Sequence, residues 1–380
     1  MSTIVFTGGG TGGHVYPGLA VLSSLPEALR VQVRWIGSRR GVERRIVAGA
    51  GVPYHAIPAG KLRRYFDLEN VLDVFRVLAG ILAAYRLLRR LGAEVIFSKG
   101  GYVAVPVVTA AYLLRLPVVI HESDADPGLA TRLTAPLAAR ILIPYAETRG
   151  AFRSRLQSKI AVTGNPVRRE FHTAPTAGIL SEVGLPETEL PVIFVTGGSL
   201  GARQVNLLVE ETIAELTREA VVVHQTGAHS VDMIPAIAAR AIPGRYFGAP
   251  GFTALFPSLM RRADLVVARA GAGTIWEIAV CGRPAVLIPL SQGASRGDQL
   301  RNAARYAASG AALVLDDPAL SGAEFLSTVR GVIRDPQQRD EMTRSAESWG
   351  AEGAAARIAC EVERLLGAAG PGPNQSRAIP

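Results

Sequence analysis

A histidine closes a run of glycines near the start of the chain. Residues 7–18 read TGGGTGGHVYPG, directly behind the apolar run STIVF. Glycines let backbone N–H groups approach a ligand, and a helix start just beyond them favours negative charge. His14 stands at the end of this loop, ahead of Pro17. An imidazole with an ordinary pKa of roughly 6.5 is a workable general base near neutrality. The alternative is a structural histidine that bonds its own turn. Two other readings of the loop fail on a named residue. Gly8, Gly10 and Gly13 satisfy G-x-G-x-x-G, but a dinucleotide site also wants an acid where the second strand ends. That strand ends WIGSRRG, with Gly37 and Ser38 in place of the acid, and the first carboxylate is Glu43, well into the next segment. Read as a phosphate-binding P-loop, the sequence has His14 where lysine is required.

A second glycine loop, TGGSLGA at 196–202, offers the Ser199 hydroxyl and several N–H groups, for which a diphosphate is the natural guest. Further on, ARAGAGTIWE places small residues from Ala270 to Gly273 before a helix that begins near Thr274 and carries Glu277. Small residues let a ligand lie against the backbone, and a carboxylate one turn in can accept two hydrogen bonds from a ribose diol. The loop SQGASRGDQLRNA at 291–303 gathers Asp298, Gln299 and Asn302 at another helix start. Each of these groups alone reads as a helix cap. Together, at successive strand ends, they read as a nucleotide-sugar site.

Elements able to hold such loops recur along the chain. Strand-like runs at 3–6, 31–37, 54–59, 95–98, 117–122 and 139–144 alternate with helical patterns such as 17–29 and 104–116. The alternation predicts a parallel sheet covered on both faces. A turn-rich passage follows residue 171, and the pattern restarts at VIFVTGGSLGARQVN, with strands at 220–226, 263–269, 284–289 and 311–315. Two Rossmann-like units in tandem are expected, with ligands outside the carboxyl ends of their strands. A last helix is placed at about 350–367, and GAAGPGPNQSRAIP reads as a loose tail.

Composition narrows the partners. The 380 residues are 48% apolar and 19% charged, enough for two sizeable cores. The formal charge of +9 favours phosphate-bearing or membrane-surface partners. Aromatics are 6% of the chain and no nucleic-acid motif is present, so nucleic acid is not expected. Two cysteines make no disulfide framework, and no Cys, His and carboxylate cluster has metal-site spacing, so no metal is expected. The N-terminus enters a strand at once, without the layout of a signal peptide. The longest apolar segment, 71–92, contains Asp73, Arg76 and Arg86, a poor bilayer span. Its Val74, Phe75, Leu78, Leu82 and Tyr85 recur at helical spacing behind Lys61, Arg63 and Arg64. That arrangement reads either as a surface that docks on anionic lipid or as an ordinary buried helix.

The motifs TGGGTGGHVYPGLAV, FSKGGYVAVPVV, IHESDADPGLA, VTGNPVRRE, GGSLGARQVN, RAGAGTIWE and PLSQGASRGDQLRNA occur in this order. Over roughly residues 3–365 the chain closely resembles the MurG family of peripheral-membrane transferases, which complete lipid II in bacterial cell-wall synthesis. The resemblance implies an α/β GT-B fold, two Rossmann-like domains whose parallel sheets face a central cleft. It implies an acceptor and membrane-facing domain at 1–163 that regains the chain at about 345–367, a UDP-sugar donor domain at 164–344, and a tail at 368–380. It also implies the reaction: N-acetylglucosamine passes from UDP-GlcNAc to the muramyl 4-hydroxyl of undecaprenyl-diphosphate-linked lipid I, with inversion. By motif position Thr11, Gly12 and Gly13 form the first loop facing the donor, and Arg168 and Ser199 touch the UDP-sugar. Ala272, Gly273 and Thr274 approach the nucleotide, Glu277 takes the ribose hydroxyls, and Gln299 beside Asp298 reads the sugar. Uracil meets backbone around 249–256. His14 is the base and Glu122 the reserve, unless Glu122 braces its loop. Many members carry Asn where this chain has Asp124, and a carboxylate cannot donate the hydrogen bond an amide can. Asp124 is therefore assigned to orienting the acceptor or His14, if it does not contact the donor. UDP-GlcNAc is a substrate, and no cofactor is implied. The implied place is the cytoplasmic face of the cell membrane, on anionic lipid, among other cell-wall synthesis and division proteins. The rival readings are a GT-B enzyme with another lipid acceptor, a UDP-sugar epimerase, and a non-catalytic UDP-sugar sensor.

Overall fold

A computed structural model describes residues 3–60, 68–290, 297–349 and 353–368. The chain divides into two units. The first comprises Met1–Arg168 with Gly353–Pro380, and the second Arg169–Glu352. The junction thus falls five residues later than the expected 163/164, and the return to the first unit comes at 353 rather than about 345. Arg168 is consequently the last residue of the first unit rather than an early one of the second.

The first unit is built on seven parallel strands: β1 (Thr3–Thr7), β2 (Val33–Ser38), β3 (Tyr54–Ile57), β4 (Ala93–Ser98), β5 (Val118–His121), β6 (Arg140–Ile143) and β7 (Ile160–Val162). Their order is β3-β2-β1-β4-β5-β6-β7. Val, Ile and Phe fill the interior positions, so both faces need a cover. One face is closed by the helices Leu68–Leu91 and Ala104–Leu113, which pack Ala84, Leu88, Val107 and Ala111 against Val5, Ile96 and Ile120. The other carries Val21, Leu25 and Val47 and the C-terminal helix Ala354–Ala368, through Ile358, Ala359 and Val362. Phe6 packs between Trp35 and Phe97 at ring separations of 6.0 and 5.0 Å. Burying Ile358 and Val362 is worth about 1.5–3 kcal/mol each, and Glu361 adds a two-pronged ion pair with Arg140 at 3.0 and 3.2 Å. The Arg357 guanidinium donates to Thr163 O beside them. This accounts for the return of the last helix to the first unit.

The second unit repeats the plan with six parallel strands: β8 (Val192–Thr196), β9 (Val221–Gln225), β10 (Tyr246–Ala249), β11 (Leu265–Ala268), β12 (Ala285–Leu287) and β13 (Ala312–Val314), in the order β10-β9-β8-β11-β12-β13. Its core joins Val205, Leu208 and Val209 of the helix Arg203–Leu216 to Ile193, Val195 and Val267.

Three expectations change. β7 and β10 are strands that alternation did not reveal; both are short edge strands, and the side chains of β10 are all only partly buried. The pattern at 17–29 is two helices, Tyr16–Ser24 and Glu27–Arg30. Leu25 is extended at ψ 151° ahead of Pro26, as a residue before proline tends to be. The helix at 104–116 stops at Leu113.

Candidate functional site

In each sheet the strand order reverses once, between β1 and β4 in the first unit and between β8 and β11 in the second. Open α/β sheets bind ligands outside the carboxyl ends of strands at such switch points, because the connections there run to opposite faces and leave a crevice. The loops singled out by residue type follow these strands. In the first unit they are 8–14 after β1 and 99–102 after β4; in the second, 197–202 after β8 and 269–273 after β11.

The first glycine loop is pinned from behind. Glu43, on the helix Val42–Gly49, is fully buried, and its Oε2 accepts the Gly10 N–H at 3.1 Å. Its Oε1 accepts both the N–H and the hydroxyl of Ser38, at 3.0 and 2.5 Å. The acid that sequence spacing set aside, for being too late to hold a ribose, thus serves the loop itself. It occupies the space beside Gly9, where an added Cβ would come within 2.6 Å of the Glu43 carboxyl carbon. On the other side the chain closes against 99–102: a Cβ on Gly101, whose φ is +80°, would run into Gly9 O. Only glycine fits there. Spacing from Ser38 was the one available signal for Glu43, and it does not say which way a carboxylate faces.

Thr11, Gly12 and Gly13 lie on the outer turn of the loop, with Thr11 and Gly13 exposed, and Gly12–His14 form a short 3-10 turn. Thr11 Oγ1 and His14 Nδ1 are 3.0 Å apart. The tautomer that donates Nδ1–H to Thr11 places the basic lone pair on Nε2. The bond to its own turn that a structural histidine would make is therefore present, and it is also what would orient a base. The Arg168 guanidinium stacks 4.6 Å above the Tyr16 ring, at the start of the helix Tyr16–Ser24 that follows.

Glu122 faces inward. Its Oε1 accepts the N–H groups of Ser123 and Asp124 at 2.7 and 3.1 Å, and its Oε2 accepts that of Gly128 at 3.0 Å. Three backbone donors commit this carboxylate to bracing the loop after β5, which favours that role over a reserve base. Ser123 Oγ donates to Asn165 Oδ1 at 2.8 Å and accepts from Lys99 Nζ at 2.5 Å. Lys99 is a buried cation that residue type and spacing had not marked. Burial pushes its ammonium down from 10.5 to about 8, against the pull of Glu122 and Asp124 in the opposite direction. His121 donates Nε2–H to Gly164 O at 2.9 Å, and burial first, then the Lys99 charge, holds it well below the usual histidine range.

In the second unit the TGGSLGA loop packs on the turn after β9: a Cβ on Gly201, at φ +90°, would meet Thr226 O. Ser199 is exposed at its tip. The helix Ala272–Val280 begins at Gly271, with Ala272, Gly273 and Thr274 on its first turn and Glu277 half-buried one turn in. A Cβ on Gly273 would meet nothing within 4 Å, so the helix start is open to a ligand. Arg269 Nη1 ties this region together by donating to Gln204 Oε1, Ile288 O and Pro289 O at 2.9–3.1 Å. Gln299 Oε1 accepts the Leu290 N–H at 3.0 Å, which leaves its amide N–H groups as the donors able to read a sugar. Asp298 pairs with Arg301 at 2.9 Å. Of the segment 249–256, Phe252 is buried and its N–H faces Gln225 Oε1 at 3.4 Å. Residues 291–296 lie outside the described residues.

On the helix Leu68–Leu91, Phe75, Leu78 and Leu82 are 64, 57 and 50% exposed, with Val74 beside them at 49%. The reading of this segment as an ordinary buried helix is therefore set aside for that face. Lys61, Arg63 and Arg64 lie outside the described residues. Among the described residues no helix is long and apolar enough to cross a membrane.

Comparison with known proteins gives this geometry its relatives. Residues 4–143 match the model of the glycosyltransferase family 28 N-terminal domain, and 192–358 that of its C-terminal domain. A Treponema pallidum protein named UDP-N-acetylglucosamine--N-acetylmuramyl-(pentapeptide) pyrophosphoryl-undecaprenol N-acetylglucosamine transferase is 41% identical over 96% of this chain and 95% of its own. A Lachnoclostridium phytofermentans protein of the same name is 38% identical over 91% and 95%. The crystal structure of Acinetobacter baumannii MurG superposes with a TM-score of 0.72 at 26% identity, covering 96% of this chain and all of that one. A Listeria monocytogenes protein described as a UDP-N-acetylglucosamine 2-epimerase reaches 0.68 over 97% and 98% of the two chains, but at 13% identity it shares the fold alone. With both domain models matched and whole-length relatives near 40% identity, the chain belongs to glycosyltransferase family 28 and, within it, to the MurG transferases.

Proposed function

We propose that this protein transfers N-acetylglucosamine from UDP-GlcNAc to the muramyl 4-hydroxyl of lipid I, with inversion, giving lipid II for peptidoglycan synthesis. The observation that carries the reading is the 41% identity, over 96% of the chain, to a relative named for this transfer. In this reading the first unit takes the acceptor and the second the donor.

Inverting transfer is a single displacement. The acceptor oxygen attacks the anomeric carbon while its proton passes to a base and the bond to the UDP oxygen breaks. His14 Nε2 takes the proton, with the ring held through Nδ1 by Thr11. The leaving diphosphate is met, within the second unit, by N–H groups of the loop 197–202 and by the start of the helix Ala272–Val280, which supply charge stabilisation the step needs. Glu277 accepts from the ribose hydroxyls, and Gln299 donates to the sugar. Asp124 orients the acceptor. The chemistry draws on no cofactor.

Lipid I resides in a bilayer, so the enzyme must meet a membrane. The exposed row Val74, Phe75, Leu78 and Leu82 supports docking on lipid, and the formal charge of +9 suits an anionic surface. A place on the cytoplasmic face, beside proteins of wall synthesis, cell shape and division, is part of the same proposal. The test is transfer of labelled N-acetylglucosamine to purified lipid I, with and without anionic vesicles. Turnover that vesicles raise supports both parts, and turnover indifferent to vesicles overturns the membrane part alone. Absence of turnover sinks the assignment.

A further inference from the structure

Lys99 is an unusual choice of residue. The chain carries 41 basic residues and only three of them are lysines. This one follows β4 at the switch point of the first unit and is 2% exposed. Its backbone N–H donates to Thr7 O at 2.8 Å, and its β-carbon lies under the glycine loop, 3.1 Å from where a Cβ on Gly8 would stand. Its ammonium donates to Ser123, which passes the hydrogen bond on to Asn165. The titratable groups that bear on it are Glu122 and Asp124, which favour its charge, and His121, which its charge disfavours.

Such a cation does not serve stability. Burial outweighs both carboxylates, so below about pH 8 the folded chain carries the charge at a penalty that the unfolded chain does not have. An apolar side chain of the same length would fold at least as well. What the ammonium provides is local. It holds Ser123 in place and compensates two carboxylates on one loop, while the side chain that carries it starts beneath the glycine loop at Gly8.

We propose that Lys99 is a positioning residue for transfer to the acceptor: its buried ammonium, bonded to Ser123 and facing Glu122 and Asp124, locks the loop after β5 against the glycine loop, so that Asp124 and His14 keep one geometry toward the acceptor hydroxyl. The role rests on the reading that the first unit takes the acceptor. It acts through Asp124 and the loop, without touching substrate. A lysine suits the task because arginine's planar fork would not fit a fully enclosed site built around one hydroxyl.

The test uses the full chain as wild type, Lys99→Met, Asp124→Asn and the double variant. Transfer from UDP-GlcNAc to lipid I is followed from about pH 6.5 to 9.5, with donor binding by calorimetry and thermal unfolding alongside. Lys99→Met is expected to lower kcat/KM for lipid I by about tenfold or more, to leave donor Kd within about twofold, and not to lower Tm. Wild-type transfer falls above about pH 8 as the ammonium deprotonates, and the variant lacks that limb. The double variant is no slower than the slower single variant, because both changes break one arrangement. The proposal is overturned by a Lys99→Met enzyme within about twofold of wild type, by a loss that comes with a lower Tm and weaker donor binding, or by losses that multiply in the double variant. Should wild type transfer nothing to lipid I, the functional reading fails, and this role fails with it.

Discussion

Glu43→Gln changes one atom of a fully buried side chain, and the structure says which hydrogen bond is lost. The carboxylate accepts three donors, two from Ser38 on Oε1 and the Gly10 N–H on Oε2. Glutamine has a single oxygen. That oxygen stays with Ser38, where it satisfies two donors, and the amide N–H₂ then faces the Gly10 N–H at about 3.1 Å, donor against donor. A buried N–H left in that position costs about 1–3 kcal/mol. Removing a buried charge recovers part of the cost, so the lower half of that range is expected. At roughly 2–4 °C per kcal/mol for a domain of this size, Tm falls by about 2–8 °C. The larger effect is on turnover. The released segment carries Thr11 and His14, and misplacing a base by an ångström costs on the order of a hundredfold. Scanning calorimetry and lipid I transfer are measured on the same preparation, with UDP-GlcNAc affinity as the control that the second unit is intact. A variant with wild-type Tm and wild-type kcat would refute the claim that Glu43 holds the loop.

Three further outcomes follow from burial and exposure. Cys281 is buried with its Sγ 3.6 Å from Phe171 O, and burial, with Glu277 adding to it, pushes its thiol up to about 12. Brief iodoacetamide treatment of the native protein at about pH 8 should therefore label exposed Cys360 and spare Cys281, as read by mass spectrometry. Burial holds His224 down to about 3, bonded to Asn206 Oδ1 at 3.0 Å, so it is neutral in the fold while the unfolded chain titrates near 6.5. The unfolded state then binds the extra proton between those values: this stability is complete above about pH 6.5 and is lost as pH falls toward 3. Tm should drop on acidification, with a shallower slope in His224→Gln. Replacing Phe75, Leu78 and Leu82 together by serine should cut sedimentation with anionic vesicles by about tenfold or more and leave Tm nearly unchanged, since those side chains already face solvent. Retained vesicle binding would rule out this helix as the docking surface.

How much of this was legible in the sequence differs from element to element. β1 and β8 announce themselves because these central parallel strands are short apolar runs followed at once by glycines. β7 and β10 did not, since an edge strand of three or four residues with half-exposed side chains has no pattern to read. The positions of the glycine loops were legible because repeated glycines behind an apolar run mark the end of a strand, and the structure places them after β1 and β8. Glu43 and Lys99 were not. Each does its work through the direction its side chain faces across the sheet, and neither periodicity nor spacing encodes that. The two helices at 16–30 were obscured because apolar spacing runs through Pro26, while the proline forces the break. The change from Asn to Asp124 was visible as a departure, yet its counterpart Lys99, 25 residues earlier, becomes evident only once β4 and β5 are laid side by side.

The central claim is that His14, held by Thr11 at the first switch point, takes the acceptor proton as N-acetylglucosamine moves to lipid I. The most direct measurement is single-turnover transfer of labelled N-acetylglucosamine from UDP-GlcNAc to purified lipid I by wild type and His14→Ala, with donor affinity measured on both. The account predicts robust transfer by wild type and a loss of about a hundredfold or more in the variant, at unchanged donor affinity. Full transfer by the variant would contradict the assignment of the base, and no transfer by wild type despite tight donor binding would contradict the reaction itself.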